Sequence, residues 1–158
     1  MMKIKGLPAG KAGFTLIETV IYIALLGVLI GGGVVAAFYI LDSAGKNKSD
    51  INVQAEGNFI VRKIEWALIG SLINSISATS LSVTKSGLSL AFSYDGARYL
   101  KLDSGAGASN LNSSLVTITT VGGVIFTDIP AASGKPRAVS ASFNVNGKNF
   151  NLTKYLRK

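Results

Sequence analysis

The chemistry open to this chain is set by one acid and by two absences. Glu18 stands near the head of an apolar run that begins straight after Lys11-Ala12-Gly13, and from Thr19 through Leu41 no other charged residue occurs. A run of that length can cross a bilayer core of ~30 Å at ~1.5 Å per helical residue. An ionised carboxylate within a membrane helix costs ~2.5 kcal/mol or more, and acids kept there have a partner and a job. The chain contains no His and no Cys, which removes Ser-His-Asp and Cys-His nucleophile systems and the usual zinc ligand sets. Paired-carboxylate chemistry finds no pair, because Asp95, Asp103 and Asp128 fall in different turns. No catalytic residue, metal ligand set or cofactor is read from the chain.

The word around the acid is Gly13-Phe14-Thr15-Leu16-Ile17-Glu18. A cut before Phe14 would liberate an α-amine, with a pKa of ~8 when unperturbed, at the head of a helix whose apolar body cannot hydrate it. Phe14 and Glu18 are four residues apart and share a helix face, so Glu18 can pair within its own chain or reach a neighbour packed alongside. Removing one partner of a desolvated pair costs ~3–5 kcal/mol, enough to decide whether a subunit joins a stack.

On these residues the N-terminus resembles that of the type IV pilins and the type II secretion pseudopilins. The resemblance is close from Gly13 to about Ile30. It implies a short basic leader, residues 1–13, removed by a prepilin peptidase that cuts between Gly13 and Phe14, followed by N-methylation of Phe14. It also implies that Glu18 serves assembly by neutralising the N-terminal amine of a neighbouring subunit in a filament. The implied partners are that peptidase, other pilin or pseudopilin subunits, an inner-membrane assembly platform and the cytoplasmic membrane.

Two plainer readings compete. A secretory signal peptide has an apolar region of ~7–15 residues followed by a small-residue cleavage site; here the run is longer, carries an early acid and meets no good site before Leu41. A plain single-pass anchor shares the expected topology, with Lys3, Lys5 and Lys11 holding the N-terminus inside by the positive-inside rule. It differs only in lacking cleavage and assembly.

Composition fits one small exported domain. Beyond the span, roughly 115 residues remain, close to the commonest domain size. The mean hydropathy of +0.42 is largely carried by the span. Without Cys, the outer domain holds together by core packing, and it lacks the C-terminal disulfide loop that the resemblance would suggest for many major pilins. The net charge of +8 includes three leader lysines; removing them leaves thirteen basic against eight acidic residues, or +5. A basic outer domain can attract DNA or acidic polymers, and the resemblance adds that uptake minor pilins bind DNA. In sequence, Lys and Arg occur singly or in pairs such as Arg62-Lys63, without a clustered basic face interleaved with aromatics.

The elements that must position these residues begin with a helix. Residues 14–41 form the transmembrane or filament-core segment, and residues 42–76 an amphipathic continuation with a predicted buried stripe at Ile51, Ala55, Phe59, Ile60, Ile64, Ala67, Leu68 and Leu72. The polar stretch at 43–50 offers a break, with Ser49 or Asp50 as cap of a second helix; an unbroken helix is the preferred reading. Gly27 and Gly31 form a G-x-x-x-G pair suited to helix packing. With Gly32 and Gly33 they also weaken the helix, each Gly costing ~1 kcal/mol relative to Ala, which the resemblance links to local melting in filaments. Glycine is in any case frequent in membrane helices.

Residues 77–158 read as an antiparallel β domain. Alternation predicts strands at 81–84 and 88–94 around Lys85-Ser86-Gly87, then 97–102 after Asp95-Gly96, a loop over 104–110, strands at 115–119 and 124–127, and a last pair, 138–145 and 149–152, around Asn146-Gly147. The fold class is α+β, a long N-terminal helix packed on an antiparallel β-sheet. Turn acids such as Asp95 and Asp103 are ordinarily turn formers; the resemblance allows a calcium site there, as in some pseudopilins. The order of elements resembles minor pilins and pseudopilins. The expected function is a structural, non-enzymatic subunit of a type IV pilus-like or type II secretion-like filament. It would sit single-pass in the cytoplasmic membrane with its N-terminus inside and then enter an extracellular or periplasmic filament. A binding module for DNA or surface polymers is the competing function.

Overall fold

The computed structural model describes residues 13, 15–132 and 134–156. The chain divides into two compact units, Met1–Lys46 and Asn47–Lys158. Helix α1 (Leu16–Leu68) supplies all the secondary structure described in the first unit and enters the second. Residues 43–50 are helical throughout. Gly45 costs only ~1 kcal/mol there, and Asp42 and Lys46, an i, i+4 pair at 2.7 Å, bridge that position.

Nine strands follow among the described residues, all in antiparallel pairings: β1 (Leu72–Ile76), β2 (Ser80–Lys85), β3 (Leu88–Tyr94), β4 (Leu100–Asp103), β5 (Ala108–Asn110), β6 (Ile118–Thr120), β7 (Phe126–Ile129), β8 (Ala138–Val145) and β9 (Lys148–Tyr155). β1 to β5 form one sheet in chain order, and the remaining four form a second sheet around β8. β9 lies along the whole of β8, while β7 and β6 share its other edge, β7 against Ala138–Ala141 and β6 against Phe143–Val145. The architecture is therefore α+β as expected, with two sheets where one was read. The sheets meet at Ala78, whose carbonyl accepts the N–H groups of Ile125 and Phe126, and at Phe92 and Phe126, whose rings lie 6.4 Å apart.

Three sequence expectations are corrected. The amphipathic helix stops at Leu68 rather than reaching residue 76: Gly70 takes a left-handed φ of +67°, the usual terminator, and Leu72–Ile76 pairs with β2 instead. The predicted loop over 104–110 ends in the edge strand β5. The buried stripe of the outer helix holds Ile60, Ile64, Ala67 and Leu68 as expected and differs at its other positions. Its buried residues are Val53, Gly57, Ile60, Ile64, Ala67 and Leu68, whereas Ile51, Phe59 and Leu72 are exposed, as is Ala55. The turn chemistry was legible: Ser86-Gly87 and Asn146-Gly147 all carry positive φ, as type I′ hairpins require.

The outer part of α1 lies along β9. Asp50 pairs with Lys148 at 3.0 Å and Glu65 with Lys154 at 2.9 Å. The fifteen helical steps from Asp50 to Glu65 rise ~22 Å at ~1.5 Å each, and the six strand steps from Lys148 to Lys154 span ~20 Å at ~3.3 Å each. Helix and strand therefore run side by side in the same direction. Between these ties, Glu56 accepts the backbone N–H of Ser113 at 2.9 Å and, on its other oxygen, the Ser113 hydroxyl.

Candidate functional site

The helix starts where its backbone donors find a cap. Thr15 Oγ1 accepts the N–H of Glu18 at 3.3 Å, the Thr-x-x-Glu arrangement of a helix N-terminus. The Glu18 carboxylate does not fold back onto the cap; it accepts the hydroxyl of Tyr22, one turn on, at 3.2 Å. Tyr22 is a partner that sequence reading missed, although its i, i+4 spacing from Glu18 was the available signal. Glu18 is half-buried, and every large apolar side chain from Leu16 to Leu41 is exposed. This is the one helix, among the described residues, long and apolar enough to cross a membrane.

The remaining predicted site residues distribute as follows. Gly13 is exposed, and Phe14, to which cleavage and N-methylation were assigned, lies outside the described residues, as does the leader before Gly13. Gly27 and Gly31 have open space where a Cβ would stand. Asp95 acts as a turn former: its Oδ1 accepts the N–H groups of Ala97, Arg98 and Tyr99 at 2.7–2.9 Å. Asp103 receives Gly105 N–H in the same manner. Among the described residues no three His, Cys, Asp or Glu side chains gather in a way that could hold a metal ion.

A basic face interleaved with aromatics, which the sequence did not reveal, is assembled by folding. Phe59, Arg62, Lys63 and Trp66 line a shallow groove of about 270 Å³ on the outer part of α1. Lys63 Nζ lies 5.0 Å and Lys85 Nζ 4.3 Å from the centroid of the Trp66 ring. Lys85 arrives from the end of β2, nineteen residues away in sequence, and also donates to the Trp66 carbonyl. None of these three cations is in an ion pair among the described residues.

A capped helix whose only early acid lies in an exposed apolar surface is the arrangement that the N-terminal word implied. Residues 8–34 match the family model for the prokaryotic N-terminal methylation motif. The chain carries a prokaryotic N-terminal methylation segment, as type IV pilins and pseudopilins do. This methylation segment spans Gly13, Phe14, Glu18, Gly27 and Gly31, and it implies processing by a prepilin peptidase and assembly with other pilin subunits. With the apolar helix behind it, the segment fits membrane anchoring and an extracellular filament. No curated protein and no solved structure matches the chain.

Proposed function

We propose that this chain is a minor pilin or pseudopilin: a structural subunit cut between Gly13 and Phe14, N-methylated on Phe14, and held single-pass in the cytoplasmic membrane with its N-terminus inside. From there an assembly platform adds it, through its N-terminal helix, to a pilus-like or type II secretion-like filament. The observation that carries this reading is Glu18. It is the lone acid of the exposed apolar stretch from Leu16 to Leu41, its carboxylate meets a neutral hydroxyl in its own chain, and an ammonium from a neighbour would complete its charge balance. Breaking such a desolvated pair costs ~3–5 kcal/mol. Glu18→Ala is therefore expected to insert and be processed normally but to be missing from the filament fraction, while mass spectrometry of the native protein reads methyl-Phe14 as its first residue. Normal incorporation of the variant would overturn the pairing role, and an intact, unmethylated start would reduce the chain to a tethered ectodomain.

A second reading, a filament-borne or membrane-anchored binding module for DNA or surface polymers, draws support from the cations around Trp66. It requires salt-dependent retention of DNA by the intact chain in detergent.

A further inference from the structure

The outer part of α1 carries two apolar stripes. The buried one packs on the sheets; the other, made of Ile51, Ala55, Phe59 and Trp66 with Arg62 among them, advances by four, four, three and four residues. At 100° per residue these positions fall within ~80° of one another, on the side of the helix opposite the buried stripe, along ~22 Å of axis. Ile51 is 67% exposed, Phe59 48% and Trp66 46%.

We infer that this face docks a helical segment of a different subunit, one that presents carboxylates among apolar residues. The inference rests on the filament reading and names a partner for it. A straight stripe with three- and four-residue spacing is the surface onto which another helix packs. Arg62, Lys63 and Lys85 fix the charge of the occupant, since aromatic contacts orient two of them and no carboxylate among the described residues pairs with any. A second copy of the chain supplies that charge poorly. Two such faces brought together would oppose cation to cation. The acids after Glu18 are already engaged at home: Asp42, Asp50, Glu65 and Asp128 in ion pairs, Glu56 on Ser113, and Asp95 and Asp103 on turn N–H groups. The chain is thus built to sit beside a sibling unlike itself, as a minor component does.

The absence of Cys makes the test direct, because Phe59→Cys introduces a unique thiol at the centre of the face. The full-length variant in native membranes is labelled with a maleimide-benzophenone, irradiated, and its adducts sequenced by mass spectrometry; Ile30→Cys, in the span, is treated in parallel. The expected Phe59→Cys adduct is a protein of different sequence whose linked segment carries Asp or Glu at helical spacing. Adding Arg62→Glu and Lys63→Glu should reduce that adduct by at least about tenfold, as juxtaposed like charges do, and leave the Ile30→Cys adduct intact. An adduct of two copies of this chain, a nuclease-sensitive adduct, a partner segment without acids, or an adduct indifferent to charge reversal would overturn the inference. So would failure of Phe59→Cys, with Arg62 and Lys63 unchanged, to give any adduct while Ile30→Cys gives one, whereas absence of both adducts would bring down the assembly reading with it.

Discussion

Gly57 of α1 and Phe150 of β9 occupy one another's space: a Cβ on Gly57 would lie 2.5 Å from Cε2 of the Phe150 ring and nearer still to Cζ. The ring has little room to retreat, because it is 8% exposed and stacked on Phe143 at a centroid distance of 5.9 Å. Gly57→Ala gains ~1 kcal/mol of helix propensity but meets an overpacking cost of ~1–3 kcal/mol. The variant should melt lower than the parent, and Phe150→Leu in the same molecule should relieve part of the loss. Equal melting temperatures for parent and Gly57→Ala would show that the ring moves freely.

Asn112 is the one buried polar residue among those described. Its Oδ1 accepts the N–H of Leu100 at 3.0 Å, and its Nδ2 donates to the carbonyls of Arg98 and Val116 at 3.2 and 3.1 Å. Truncation to Ala strands these backbone groups, at ~1–3 kcal/mol for each one left unsatisfied and dry. Asn112→Ala should therefore destabilise more than Ser113→Ala, which removes an exposed contact; denaturant unfolding of the two variants compares them.

Acid should act through two aspartates. The N–H of Arg98, with those of Ala97 and Tyr99, holds the Asp95 carboxyl below the usual range, and the Arg137 guanidinium does the same for Asp128. Both pKa values are lower folded than unfolded, so their contribution is present above the unfolded value of ~3.9 and is lost as pH falls from there through the folded values. Unfolding followed from pH 7 to 2 should show stability falling below about pH 4, and Asp95→Asn with Asp128→Asn should flatten that fall. An unchanged acid limb in the double variant would assign the effect elsewhere.

Gly27 and Gly31 separate two uses of small residues in a membrane helix. Close approach of a neighbour tolerates Ala and rejects bulk, so Gly27→Ala/Gly31→Ala should still enter filaments while Gly27→Leu/Gly31→Leu should not. Failure of both pairs, measured as filament yield, would point instead to a helix that must melt there.

How far the fold was legible depended on whether a residue's local chemistry decided its conformation. Asn146-Gly147 and Ser86-Gly87 fixed hairpins because few other residues accept positive φ. The word from Gly13 to Glu18 was legible because an acid ahead of a long uncharged run has few uses. The stripe was legible at Ile60, Ile64, Ala67 and Leu68 but not before them, since Ile51 and Phe59 are as apolar as Ile60 and Ile64, and Gly57, which counts as nothing on a hydropathy scale, packs against Phe150 of β9. β1 was hidden because Leu72 also continued the helical spacing, and β5 because Ala108-Ser109-Asn110 lacks any strand-forming side chain. The cluster around Trp66 joins α1 to the end of β2, a proximity that only the tertiary fold creates.

The parallel course of α1 and β9, fastened by Asp50–Lys148 near one end and Glu65–Lys154 near the other, has a mechanical reading. Tension applied along the helix axis loads those fastenings and the Gly57–Phe150 contact in shear, all together, instead of peeling them one after another. Strand β9 attached in this way should resist being stripped from the outer part of α1 until several contacts fail at once.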